Sequence, residues 1–97
     1  MIGLGSLILA AKLCGAITGR EVPAPIACSA SLAIVATADG WPVETIAALA
    51  FSESRFRWRS INAGGCWGAL QVCGRRPRHF DEWASYRAGV RKLDEAA

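Results

Sequence analysis

A chemical reading of this chain turns on Glu53. Ile46, Leu49, Ala50 and Glu53 fall at i, i+3, i+4 and i+7, so a helix starting near Pro42 carries a carboxylate on its apolar stripe. Partial burial disfavours the charged form of a carboxyl group and raises its pKa. That suits a group that has to hold a proton near neutral pH and deliver it to a leaving oxygen. The alternative is a Glu that reaches solvent at the frayed end of the helix, as most single Glu residues do. The residues that follow favour the first reading. Gly64, Gly65 and Gly68 allow tight turns and close approach of a ligand to the main chain. Asn62 and Gln71 add amide groups and Trp67 a flat stacking surface, a set of side chains suited to carbohydrate.

The stretch from Glu53 to Gln71 resembles the signature of the soluble lytic transglycosylases, lysozyme-like enzymes that cleave peptidoglycan, whose pattern is roughly E-S-x-F-x-x-x-A-x-S-x-x-G-A-x-G-L-M-Q. Glu53, Ser54, Phe56, Gly65, Gly68 and Gln71 match it without a gap. Ser60 stands for the family's Ala, Asn62 for Ser, Cys66 for Ala and Ala69-Leu70 for Leu-Met. Downstream, Ser85-Tyr86-Arg87-Ala88-Gly89 resembles the A-Y-N-A-G block of that family, with Ser85 for the first Ala and Arg87 for Asn. Upstream, Ile26 to Trp41 resembles the helix and turn that precede the family's catalytic helix, so the resemblance covers residues 26 to 92. Between Gln71 and Trp83 lie eleven residues where the family commonly has several times as many. One wall of the substrate groove is therefore expected to be absent or supplied by another chain.

The resemblance implies a small, all-α, lysozyme-like domain that acts as a peptidoglycan lytic transglycosylase. A two-carboxylate glycosidase places a second Asp or Glu across the scissile bond, but from Ser54 to Phe80 this chain has no acidic residue. Glu53 would then work alone. It would protonate the glycosidic oxygen between N-acetylmuramic acid and N-acetylglucosamine. As a carboxylate it would next take the proton of the muramoyl C6 hydroxyl, which closes on C1 to give a 1,6-anhydro product. By the same resemblance Ser54 would support Glu53, Gln71 and Tyr86 would bind or orient the sugar and its N-acetyl group, and Asn62 would do either. Gly68 and Trp67 complete the expected substrate-binding set. Asp81 or Glu82 would serve as a second carboxylate if the last helix came round to Glu53, the arrangement of a hydrolytic lysozyme. A lysozyme-like structural protein without activity is the third reading.

The elements that position these residues are helical. A helix is expected from about Pro25 to Ala38, ended by Asp39-Gly40, with Ile26, Ala30, Ala33 and Thr37 forming a small-residue face that lets a second helix approach closely. The Glu53 helix follows, with Pro42 at its first position and Glu44 in its first turn, where a negative charge suits the dipole. Trp67 to Val72 is expected to be a short helical segment stopped by Gly74. Arg75 to His79 reads as a basic loop, and Phe80 to Ala96 as the last helix. No strand pattern or internal repeat stands out.

Length bounds the answer to one domain of 97 residues with a small core. Residues 1–22 read as an apolar N-terminal segment and linker, and 23–97 as the helical domain. Met1 to Thr18 is nearly all apolar, interrupted only by Lys12, and is marginal in length for spanning a bilayer. Membrane contact through residues 1–18, a signal peptide, and a helix covering the core all fit it. Lys12 interrupts the apolar core that a signal peptide needs and would have to snorkel or find a partner in a membrane helix.

Eleven basic and eight acidic residues give a net charge of +3, concentrated at Arg55, Arg57 and Arg59 and again at Arg75, Arg76 and Arg78. A positive groove suits an anionic polymer such as peptidoglycan. Nucleic acid is the competing partner, through arginines interleaved with Trp58 and Trp67. It leaves Glu53 on an apolar face and the Glu-to-Gln spacing unexplained, so no nucleic acid is expected. The four cysteines, Cys14, Cys28, Cys66 and Cys73, lack metal-type spacing and His79 is alone, so neither a metal nor another cofactor is expected. A Cys66–Cys73 bridge would brace the loop behind Gln71. Cys28 reaching either of them, or four buried thiols, are the alternatives. The resemblance places such a domain in the cell envelope or periplasm, or in a phage virion.

Overall fold

The computed structural model describes residues 3–97, so Met1 and Ile2 of the apolar run lie outside the described residues. Pro23 and Pro25 open the helix at the centre of the domain. Neither needs an amide hydrogen at the start of a helix, and the helix runs over Ala24–Thr37, here α2. Ala27, Ala30, Ala33 and Ile34 are wholly buried along it. The hydroxyls of Ser31 and Thr37, also buried, donate back to the carbonyls of Ala27 and Ala33 at 2.7 Å. With so many small side chains α2 offers close approach on several sides, and the other three helices all pack on it. Ile26, expected on the buried face, lies outside it and is exposed.

The apolar run forms α1 over Leu4–Ile17. Its second half is a core helix. Ala10, Leu13 and Cys14 are buried against α2, and a Cys14–Cys28 disulfide joins the two helices. Its first half leaves Leu4, Leu7, Ile8 and Leu9 exposed, at 75%, 46%, 51% and 39%. No helix among the described residues is long and apolar enough to cross a membrane.

After the turn at Asp39 and Gly40, α3 covers Val43–Ser54 with Pro42 just outside it, one residue later than the proline rule suggests. It ends at two consecutive left-handed residues, Arg55 and Phe56, at φ 55° and 64°. The Phe56 amide reaches back to the Ala50 carbonyl at 3.3 Å, a six-residue closure that satisfies the helix end and turns Phe56 into the core. The last helix, α4, covers Glu82–Ala96, and the Asp81 carboxylate caps it by accepting the Ala84 amide at 2.8 Å. The chain is an all-α domain, with two isolated antiparallel β-bridges between α3 and α4 and no strand among the described residues.

The segment from Trp67 to Val72 is one place where expectation and structure part. It is a tight turn rather than a short helix. Trp67 and Val72 exchange both backbone hydrogen bonds, at 2.9 and 2.8 Å. Gly68 and Gln71 inside the turn have φ of 86° and 52°, which no right-handed helix accommodates.

Candidate active site

The Gly68-to-Gln71 turn is held between the end of α3 and the middle of α4 by one residue, Ala69. Its carbonyl accepts the Ser54 hydroxyl at 2.6 Å, and its amide donates to the Ser85 hydroxyl at 2.6 Å. Ser54, Ala69 and Ser85 are all buried, so these bonds are shielded from water. Two glycines make the fit possible. A Cβ on Gly68 would lie 2.8 Å from the Ser85 Oγ, and a Cβ on Gly89 only 2.2 Å from Leu70 Cδ1. Ser54 thus acts on the turn, and through it on Gln71, rather than on Glu53 itself.

The rest of the loop is braced from within. The Gln71 Nε2 donates to the Gly68 carbonyl at 2.9 Å and to that of Ser60 at 3.3 Å. The Asn62 Oδ1 accepts the amides of Gly64 and Cys66 at 2.8 and 3.0 Å, closing a turn of its own. A Cys66–Cys73 disulfide closes the loop outside the Trp67–Val72 pair.

This framework lays Gln71 and Glu53 along one groove of about 350 Å³, whose lining includes Leu49, Leu70, Gly89 and Lys92. Glu53 is exposed there, which corrects the burial expected of it. The buried stripe of α3 is Ile46, Ala50 and Ser54, a row along i, i+4 and i+8, with Ala47 buried beside it. Leu49 and Glu53 lie on the flank of that row, at the groove's edge. Glu53 is the one carboxylate among the groove's lining residues. Such a group can give a proton to, or take one from, a molecule lying in the groove, with the Gln71 amide and the Lys92 ammonium beside it.

The other expected site residues are not in this groove. Trp67 is buried with its ring 4.8 Å from that of Phe80, so it offers no open face for stacking. Tyr86 is wholly buried and its phenolic oxygen has no hydrogen-bond partner among the described residues. Burial, helped by the nearby Glu82 carboxylate, pushes its ionisation well above the usual phenol range. Asn62 serves its own turn. Lys92 was not anticipated, although its place one turn beyond Gly89, with Leu93 beside it, is the i, i+3, i+4 signal of a shared helix face.

Neither a family model, nor a curated protein, nor a solved structure matches this chain.

Glu82 lies elsewhere, in a groove of about 460 Å³ with Ile26, Ser29, Trp58 and Arg59. The Ser29 hydroxyl donates to its carboxylate. Burial raises its pKa; the Ser29 bond and the Arg59 charge oppose that rise, and Asp81 adds to it. The arginines are likewise distributed differently from their order in the chain. Arg55 pairs with Glu21 at 2.7 Å, and Arg57 and Arg59 face the Glu82 groove. None of the three lines the Glu53 groove, where the cation is Lys92.

Proposed function

We propose that this protein is a lysozyme-like lytic transglycosylase that opens peptidoglycan, with Glu53 as its single acid and base. The observation that carries this reading is that Glu53 shares a groove with Gln71 and with no second carboxylate. In a two-carboxylate hydrolase a second acidic group would stand across the scissile bond. Glu82 lines a different groove and Asp81 is engaged in capping α4, so neither takes that place. A glycan lying along the groove would cover Glu53 and exclude water from it. The carboxyl group would then protonate the glycosidic oxygen and, once ionised, receive the proton of the C6 hydroxyl as that oxygen closes on C1. Gln71, its Nε2 held by backbone carbonyls, has its Oε1 for an N–H of the sugar. Tyr86, on the buried face of α4, supports the packing instead of touching the sugar.

The domain would work at the cell wall, in the bacterial envelope or in a phage virion. The exposed leucines and isoleucine at the start of α1 would hold it to a membrane surface. The exposure of Glu53 favours a second reading, a glycan-binding domain of the same architecture that does not cut. Digestion of purified peptidoglycan in heavy-oxygen water tests the reaction. Soluble products without heavy oxygen are expected, because ring closure takes no water into the product. Incorporation at new reducing ends would mean hydrolysis, and no soluble product would favour the binding domain.

A further inference from the structure

We infer that the groove between residues 75–80 and α4 is an anion-binding track that receives the carboxylate-bearing peptide of the same peptidoglycan strand whose glycan lies at Glu53. This rests on the function proposed above and names a second contact for its substrate. The groove, of about 360 Å³, gathers Arg75 and His79 from the loop and Arg87, Arg91 and Lys92 from α4. Along the chain Arg75 and Arg91 are 16 residues apart, and only the fold brings them together. Arg87 and Arg91 stand at i and i+4, where like charges repel each other. The one carboxylate lining the groove is Glu95, and its partner is Lys92, at 3.6 Å. Arg75, Arg87 and Arg91 form no ion pair among the described residues. Asp39 and Asp94 border Arg87 and Arg91 on another side without pairing with either. Three unpaired guanidinium groups on one concave surface leave a positive field that an incoming anion relieves. Their planar forks suit carboxylates in particular.

The track's place on the molecule selects the ligand. Val72 and Lys92 line both this groove and the Glu53 groove, so the two adjoin. A molecule spanning them has an uncharged polymer on one side and carboxylates on the other, as peptidoglycan has in its glycan and its stem peptides. Single-stranded nucleic acid would need open aromatic faces for its bases. Here Trp67 is buried, and Phe80 packs tilted against it and edgewise against Trp58.

The test uses the full chain with Glu53→Gln, so that binding is read without turnover. It is titrated calorimetrically with a soluble disaccharide-tetrapeptide, with the same disaccharide without peptide and its lactyl carboxyl capped as the neutral amide, and with a single-stranded DNA oligonucleotide, each at low and high salt. The peptide-bearing ligand should bind about tenfold tighter than the bare disaccharide at low salt, a preference lost at high salt. Adding Arg87→Ala and Arg91→Ala should abolish the preference and leave the bare disaccharide's affinity unchanged, while Arg87→Lys with Arg91→Lys should keep part of it. Both arginines are exposed, and equal melting temperatures would show that the variants fold alike. Equal affinity for the two disaccharides would overturn the track alone. Binding of neither disaccharide would overturn the track and the proposed function together. Tighter binding of the oligonucleotide than of the tetrapeptide ligand would assign the groove to nucleic acid and overturn the proposal.

Discussion

Gly89 has no room for a side chain, because a Cβ there would meet Leu70 Cδ1 at 2.2 Å and Leu70 Cβ at 2.6 Å. Gly89→Ala should therefore destabilise the fold by about 1–3 kcal/mol. It should also displace the turn that carries Gln71, reducing activity further than the stability loss explains. Denaturant unfolding and an activity assay on the folded fraction measure the two effects. Glu82 supplies a pH dependence. Its folded-state pKa is raised above the ordinary value of 4.5, mainly by burial, so the folded state binds more protons than the unfolded chain in that range. Its contribution to stability is present below pH 4.5 and is lost as pH rises through the folded-state value. Glu82→Gln removes that titration and should gain stability relative to the wild type as pH rises through this range. Thermal melts of both proteins between acid and neutral pH check the sign. At this scale the places of Gly68 and Gly89 were legible, because their contacts with Ser85 and Leu70 leave no room for a side chain at either position. The exposure of Glu53 was not. An i, i+3, i+4, i+7 pattern fixes a face only to within about a residue's rotation, and the buried row of α3 runs through Ser54 instead.

The helices were read closely from their punctuation. Pro23 and Pro25 start α2, Asp39-Gly40 ends it, Pro42 precedes α3, and Asp81 caps α4. The turn over Gly68–Gln71 differs from the expected helix because a left-handed φ at Gln71 has no signal in residue type, and the bonds that hold the turn at Ala69 come from Ser54 and Ser85, distant in sequence. The N-terminal run is a core helix over its second half, one of the expected readings, and leaves apolar side chains exposed on its first. Fourteen residues make a helix of about 21 Å, too short to span a bilayer of about 30 Å but long enough to enter its interface. Leu7→Gln with Ile8→Gln should leave unfolding free energy within about 0.5 kcal/mol, because both side chains are exposed. The same pair should weaken binding to anionic lipid vesicles by about tenfold or more, each side chain being worth roughly 1.5–3 kcal/mol when fully inserted. Vesicle co-sedimentation measures this, and unchanged binding would remove the membrane from the account.

As a whole molecule the domain joins its parts across small distances with small side chains, and a core rich in alanine leaves a narrow margin of stability. The two disulfides offset that. Cys14–Cys28 ties α1 to α2, and Cys66–Cys73 closes the loop around the Gln71 turn. The second pairing was legible as one of several. The first needed the antiparallel meeting of α1 and α2, which no cysteine spacing reports. Cys14→Ser with Cys28→Ser reopens a loop of about 15 residues and should cost about 3 kcal/mol, read as a lower melting temperature under oxidising conditions. Charge was legible in amount but not in layout, because Arg75, Arg87 and Arg91 become neighbours only through the fold. The central claim, that one carboxylate cuts peptidoglycan without water, is tested most directly by mass spectrometry of the soluble products from purified peptidoglycan treated with the wild type and with Glu53→Gln. The account predicts muropeptides one water lighter than hydrolytic products from the wild type, and none from Glu53→Gln. Reducing-end products from the wild type, or unchanged products from Glu53→Gln, would contradict it.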